Sequence, residues 1–571
     1  MDVLTRAWPA TLLAAVATMA VAPALPAGAV AFEEIGARAG VAVRHHARVF
    51  KGPYADVLGI FTSGGAAVAV GDYDNDGFED VFLTDSAEGA PSHLLHNAGL
   101  LRFTDVTAAA GVGGGNDSRS IVSDAIWFDY DNDGWADLLV ARFGAPILYH
   151  NDGKGRFSDV TAQSGLQSFA NTLSAIAFDY DGDGRLDLLF GNYFKPVSLF
   201  DIADPHIMPT DLDNASNGGG VTLWRNLGGG RFENTTARAG LASHTGWTLD
   251  VGHGDLNDDG LPDLYIASDY GTDRMFLNNG DGTFRDVTEK AIGFDTKKGM
   301  NADIADYDGD GRLDVYVTNI TDEYMRECNM LWRNNGDGTF TDVARETGTC
   351  ETGWGWAAKF TDVDNDGWMD LFVVNGLRSA GPESYIPSVL EMIVRPGVDF
   401  SDLRSWPLIG NKTWSGYQRK KLFHNVSGTA FRDVAAQARV DNDRDGRGIG
   451  LGDFDNDGRI DWVQTNVGQP AMFFHNVTRS AGHWIELKLE GTRSNRDAIG
   501  ARVTIETPSR RLVREVNGGN GYASRSSTRV HVGLGTETTV RSIVVRWPGG
   551  ATERVSAPVD RITTIREGES R

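Results

Sequence analysis

Residues 71–80 read GDYDNDGFED and place Asp72, Asp74, Asp76 and Asp80 within nine positions, with no Lys or Arg among them. Carboxylates this close repel one another, so a chain that keeps them needs a counter-ion. The nonapeptide returns as DYDNDGWAD (129–137), DYDGDGRLD (179–187), DLNDDGLPD (255–263), DYDGDGRLD (306–314), DVDNDGWMD (362–370) and DFDNDGRID (453–461). Seven copies starting 50 to 91 residues apart define a repeat protein.

Each copy sits in the same context. A small-residue and apolar run such as GGAAVAVG or TLSAIAF leads in, and a second run such as DVFLTD or DLLVAR follows. A third run (ILYHN, MLWRN) and a Gly-rich turn precede a fourth, as in FSDVTAQSG. Short β-type runs separated by turn residues are strands. Four antiparallel strands per repeat, arranged radially, make a propeller blade, so the predicted fold is all-β with a seven-bladed β-propeller. Phe103, Phe157, Phe232, Phe284, Phe340 and Phe431 open the fourth strand after six of the loops. After the seventh loop no such run appears, and the missing copy stands near the N-terminus as AFEEIGARAG with Phe32. The N-terminal strand (31–40) is therefore predicted to complete the last blade and close the ring, which removes free sheet edges.

Oxygen ligands at positions 1, 3, 5 and 9, with Gly at 6, form the front of a calcium loop, and the main-chain carbonyl at 7 adds another ligand. The predicted ligands at position 1 are Asp72, Asp129, Asp179, Asp255, Asp306, Asp362 and Asp453. Position 3 supplies Asp74, Asp131, Asp181, Asn257, Asp308, Asp364 and Asp455; position 5 supplies Asp76, Asp133, Asp183, Asp259, Asp310, Asp366 and Asp457. Position 7 presents the carbonyls of Phe78, Trp135, Arg185, Leu261, Arg312, Trp368 and Arg459, and Asp80, Asp137, Asp187, Asp263, Asp314, Asp370 and Asp461 close the loops at position 9. An EF-hand would carry Glu at position 12 between helices; here position 12 is Leu83 in the first copy and Val140 in the second, inside β runs. Hard carboxylate ligands, with no His or Cys expected nearby, favour calcium, up to seven ions, over zinc or copper; magnesium is the alternative, though it prefers a tighter octahedron with retained waters. An eighth acidic run, DNDRDGRG (441–448), has Ile449 at position 9 and two interrupting arginines, and reads as a turn.

The chain has 571 residues and a formal net charge of −25, which argues against nucleic acid and anionic membranes as partners. Arg6, an apolar run, Pro23, Pro26 and AGAVA read as a signal peptide over residues 1–29, with cleavage after Ala29 or Ala31. The run is short and proline-broken for a membrane anchor, and no other run is long enough to span a bilayer. The expected protein is soluble and secreted, extracellular or periplasmic.

The repeats resemble the FG-GAP/VCBS repeats of integrin-α-type seven-bladed propellers, whose loops hold calcium. GTRSNRDAIGARV (491–503), NGGNGYASRSSTRVHVGLG (517–535) and IVVRWPGG (543–550) resemble the ASPIC/UnbV domain. Together they resemble the CRTAC1-type family of secreted proteins. The resemblance implies a propeller over residues 30–478 and an ASPIC/UnbV β domain, small and β-sandwich-like, over 479–571. It also implies extracellular calcium binding, with Asn257 the one departure among the side-chain ligands.

Strand alternation puts the acidic loops on one side of the ring and the large insertions, 195–221 and 376–421, on the other. Tyr385, Trp406, Trp414 and Tyr417 lie in the second insertion, and Trp247, Trp354 and Trp356 near the start of first strands on that side. Aromatic residues in insertions point to a recognition surface for a glycan or an extracellular protein. No nucleophile elbow, HExxH or phosphate loop is present, and His45, His46, His206, His244 and His253 show no site spacing. The leading expectation is a binding or adhesion scaffold. The alternatives are an enzyme of sugar lyase or isomerase type on the insertion face and an accessory protein of natural-product biosynthesis. The only cysteines, Cys328 and Cys350, fall in loops on the insertion side of one repeat and are predicted to form a disulfide.

Overall fold

A computed structural model describes residues 29–479 and 481–569; the predicted signal peptide lies, except for Ala29, outside them. Seven four-stranded antiparallel units follow one another along the chain, each with its acidic loop between first and second strands. The first unit is Val68–Gly71, Asp80–Leu83, His93–Asn97 and Phe103–Asp105. The seventh is Gly446–Gly452, Asp461–Asn466 and Met472–Asn476, with Phe32–Glu34 as its outer strand. First strands pack side by side in chain order, and that of the seventh unit lies against that of the first. The arrangement is a closed, propeller-like ring.

One register is repeated seven times. The Phe at or next to the start of each fourth strand faces the Asn at or next to the end of the third: Phe103 faces Asn97, Phe284 faces Asn278, Phe431 faces Asn425 and Phe32 faces Asn476. These asparagines are buried and join the units. Each donates from Nδ2 to the carbonyl after the first Asp of the preceding loop: Asn151 to Tyr73 (2.8 Å), Asn226 to Tyr130 (2.7 Å), Asn278 to Tyr180 (2.8 Å) and Asn334 to Leu256 (2.7 Å). Asn425 reaches Tyr307 (2.9 Å) and Asn476 reaches Val363 (2.8 Å). Asn97 reaches back to Phe454 (2.9 Å) and completes the circle. Asn334→Ala would strand the buried carbonyls of Leu256 and Leu313 and is expected to destabilise the chain by about 2–3 kcal/mol. Urea denaturation of the variant, compared with an exposed control such as Asn335→Ala, checks this.

Past residue 482 two further sheets stack. His483–Glu490 pairs with Val530–Gly535 and Ile562–Arg566; the second sheet runs Arg511–Glu515, Arg502–Glu506, Ser542–Arg546 and Thr552–Val555. Ile485, Leu487, Val503, Ile505, Val532 and Val545 are buried between them. This sandwich sits on the acidic-loop side of the ring. The amide of Arg496 donates to Asn132 Oδ1 (2.8 Å), and that of Gly535 to the carbonyl of Asn365 (2.7 Å). Its segment 517–527 enters the ring's centre, where Ser524–Arg525 pairs in parallel with Val68–Ala69. Charge favours the insertion: the first strands carry buried Asp124, Asp250 and Asp303, and the segment's Arg525 pairs with Asp124, while Lys359 of the ring, paired with Asp303 at 2.6 Å, also donates to the segment's Asn520 carbonyl (2.9 Å).

Cys328 and Cys350 form a disulfide. It encloses a 22-residue separation, so Cys328→Ala/Cys350→Ala is expected to cost about 3 kcal/mol in the chain-entropy treatment, measured as a shift in denaturation midpoint.

Candidate metal centres and the opposite face

The acidic loops are built alike. The Gly at position 6 has positive φ in all seven, from Gly458 at 82° to Gly134 at 93°, a conformation in which a Cβ would be strained. Position 4 is also left-handed and is always Asn, Gly or Asp: Asn75, Asn132, Gly182, Asp258, Gly309, Asn365 and Asn456. Four of these side chains tie loop to loop. Asn75 donates to the Gly134 carbonyl, Asn132 to Gly184, Asn365 to Gly458 and Asn456 to Gly77.

The carboxylates at positions 1, 5 and 9 are oriented from outside the centre. Asp129 accepts from the amides of Asp133 (3.0 Å) and Gly134 (2.7 Å), and Asp133 from that of Trp135 (2.9 Å). The buried position-9 Asp accepts from the amide of the ring asparagine, as Asp137 does from Asn151 at 2.7 Å. What remains tests the fit of a cation. Asp181 Oδ1, Asp306 Oδ1, Asp364 Oδ1, Asp455 Oδ1 and Asp461 Oδ2 are buried and have no hydrogen-bond donor. Such oxygens are costly unless a cation meets them. Asp72, Asp74 and Asp80 also bring oxygens within 4.8 Å of one another. Burial and neighbouring carboxylates push the metal-free position-9 acids upward: Asp80 to about 7, Asp137 to about 9, Asp263 to about 8, and Asp187, Asp314 and Asp370 well above the usual range.

Two sequence expectations need correction. Histidine does approach the loops, because the residue before the ring asparagine points at the acidic cluster. His96, His150, His424 and His475 each come within ligand distance of two loop carboxylates. The His96 ring lies 3.2 Å from Asp80, and this hydrogen bond raises its pKa to about 8; a hydrogen bond to Asp364 raises that of His424 to about 9. The loops also have counter-charges. Arg225 lies 2.5 Å from Asp181, and Arg185, Arg312 and Arg459 fold back onto Asp183, Asp310 and Asp457. The C-terminal sandwich adds Lys488 at Asp72 (3.4 Å) and Arg546 and Arg502 at Asp255. The fourth loop, with Asn257, thus has two arginines on Asp255, as the third has two on Asp181 and Asp183. The HN and RN endings of ILYHN and MLWRN carried this signal, but position in the strand alone did not say which way they point.

The eighth acidic run is a turn: Asp445 accepts from the Ser379 amide and hydroxyl, both at 2.7 Å, and the strand Gly446–Gly452 follows. His45, His244 and His253 are buried with separate partners, Ser86, Thr248 and the Gly518 amide respectively.

On the opposite face the insertions run between Phe194 and Gly218 and between Asn375 and Lys421. Their aromatic residues do not form the expected open surface. Trp247 and Tyr385 are fully buried, and Trp356, Trp406 and Trp414 nearly so, whereas Tyr417 is 56% exposed. Trp356, Trp406 and Trp414 pack under the helices Ala55–Phe61 and Ile386–Val394 and, with Trp354, wall a cavity. The reason is area: indole rings bury too much apolar surface to stay out when two long loops and two helices can cover them.

Comparison with known proteins agrees with the repeat pattern. Residues 129–190, 255–317 and 320–373 match the FG-GAP-like repeat, and residues 491–571 match ASPIC and UnbV. Cartilage acidic protein 1 of Xenopus tropicalis is 24% identical over 330 residues, covering 56% of this chain and 44% of that protein. Its Homo sapiens counterpart is 23% identical over 329 residues, covering 56% and 43%. The chain spans about half the length of these curated relatives. A solved Agrocybe aegerita structure, titled for recognition of non-reducing terminal N-acetylglucosamine, aligns at 17% identity over 66% of this chain and 83% of its own, with TM-score 0.36. A likeness of that degree carries no weight for fold or ligand. None of the described helices is long and apolar enough to cross a membrane. The chain is built of FG-GAP-like repeats and ends in an ASPIC/UnbV domain.

Proposed function

We propose that the chain is a secreted, calcium-binding, seven-bladed propeller that serves as a binding or adhesion scaffold. The observation that carries this reading is the sevenfold loop: carboxylates fixed by backbone amides and, in four of the loops, buried oxygens that no protein donor meets. The ligands would be the position 1, 3, 5 and 9 side chains named above, with the position-7 carbonyls, and bound calcium would supply positive charge at the junctions between units. The apolar N-terminal run and the disulfide support export. The partner would be a glycan or an extracellular protein on the insertion face, where Leu390, Val394, Leu408 and Tyr417 are exposed. Probing a glycan and extracellular-protein array with the labelled protein, in calcium and in chelator, tests this. Calcium-dependent capture of a defined partner is the expected result, and array-wide silence in both conditions would refute the scaffold.

A second reading, catalysis on that face, has one observation in its favour: inside the cavity a carboxylate oxygen of Asp269 accepts from the Tyr193 hydroxyl. Polysaccharide breakdown by the wild-type chain, abolished in Asp269→Asn, would select it.

A further inference from the structure

The cavity under the two helices has a composition that the scaffold reading does not use. Tyr193, Tyr270, Trp354, Trp356, Trp406 and Trp414 line it, and between these rings the wall is aliphatic. Its floor comes from the C-terminal domain. Tyr522, carried through the centre of the ring, is fully buried, donates to the Gly64 carbonyl (3.0 Å) and lies 5.2 Å from the Trp356 ring. Half-buried Leu212, Tyr324, Met325 and Ile393 mark the opening.

Asp269, Lys298 and two indoles supply polar groups to this wall. Asp269 is 8% exposed; Oδ2 accepts from Tyr193, and Oδ1 has no donor among the described residues. Burial raises the Asp269 carboxyl to about 7. Lys298 also lines the cavity and partly offsets Asp269, but it is paired with Glu327 at 3.1 Å and Asp213 at 3.6 Å, so the three carboxylates outnumber the one cation. The indole Nε1 groups of Trp354 and Trp356 are buried without an acceptor. A carboxylate among aromatic rings attracts an organic cation, since ring quadrupole and formal charge act in the same sense. Unpaired indole donors call for an acceptor on the same molecule. Arg447, stacked 4.1 Å from Trp356, does not compete for the site, because its guanidinium is bonded to the carbonyls of Gly376 and Leu377.

We propose that this cavity binds a small amphiphilic organic cation, an ammonium group near Asp269 and an acceptor oxygen near the indoles, in a site that both the ring and the C-terminal domain build. The geometry gives the C-terminal segment a role besides closing the ring's centre: without Tyr522 the pocket has no floor.

Benzoylcholine and its uncharged carbon isostere, 3,3-dimethylbutyl benzoate, form the test pair, read by tryptophan fluorescence of the full mature chain in calcium. Benzoylcholine is expected to give saturable quenching, with the isostere at least tenfold weaker. Asp269→Asn is expected to weaken benzoylcholine at least tenfold and leave the isostere unchanged, and Tyr522→Ala to weaken both. Equal binding of the two ligands, unchanged binding by Asp269→Asn, or no saturable signal from either at millimolar concentration would overturn the proposal. If Asp269→Asn does not fold, the ligand pair on the unaltered chain still decides.

Discussion

Removal of divalent metal is expected to lower the melting temperature of this chain more than any single substitution. A ligand that binds only the folded state stabilises it by mass action, by about 2.7 kcal/mol per site at a hundredfold excess over Kd. Three or four such sites would reach the whole stability of an ordinary domain, about 5–15 kcal/mol. The effect has a pH signature. In the metal-free chain, burial raises the folded-state pKa of Asp80 to about 7, Asp263 to about 8 and Asp137 to about 9, above the unfolded values. Groups raised in this way contribute stability that is full below the unfolded carboxylate pKa and lost as pH rises through the folded value. The chelated chain should therefore be more stable at pH 5 than at pH 8. Calcium should add more at pH 8, where fewer protons have to be displaced from the carboxylates than at pH 5. Calorimetry at both pH values, with and without EDTA, reads the two effects together. An unchanged melting curve in excess EDTA, with metal analysis showing an emptied protein, would contradict the calcium role.

Deleting residues 29–40 is expected to unfold the seventh unit and open the ring. Phe32 is 1% exposed, and its ring centroid lies 4.1 Å from that of Trp462. Ile35 and Ala39 are buried in a second cluster, with Phe103, Phe454 and Phe473, where the first and seventh units meet. Phe32→Ala alone should cost about 3–5 kcal/mol as a buried large-to-small change. The deletion also leaves Met472–Asn476 as an unpaired edge. A usual flexible terminus would be removed at little cost. Hydrogen exchange localises the effect: loss of protection should concentrate in 446–476 and spread to the first unit through the bond between Asn97 and Phe454. A deletion variant that melts like the mature chain would contradict closure.

Local pattern made the acidic loops legible. GDYDNDGFED and its six relatives announce their turn by Gly at position 6 and Asn, Gly or Asp at position 4, and the observed φ values explain both choices. The alignment of Phe103 through Phe431 made the fourth strand readable, and the gap after the seventh loop pointed to Phe32. What stayed hidden was set by partners far along the chain. The ring asparagines stand in plain view at the end of each third strand, yet their acceptors belong to the preceding unit, 357 residues away for Asn97 and Phe454. Arg525 sits in a stretch that reads as a polar loop, and its partner Asp124 is 401 residues distant. The insertion aromatics were read as surface because their burial depends on two helices and a tyrosine from another domain. The approach of His96 and His424 to the loops was missed because the motif was read as a self-contained ligand set. In the fold the third strand supplies its outer wall.

The most direct test of the central claim is native mass spectrometry of the chelator-stripped mature chain during back-titration with calcium. Stepwise addition of several ions, up to seven, is expected, with the fourth loop, which has Asn257 in place of an Asp and two arginines on Asp255, filling last, so that Asp255→Ala changes only the final step. A spectrum that stays at the metal-free mass through millimolar calcium would contradict the account.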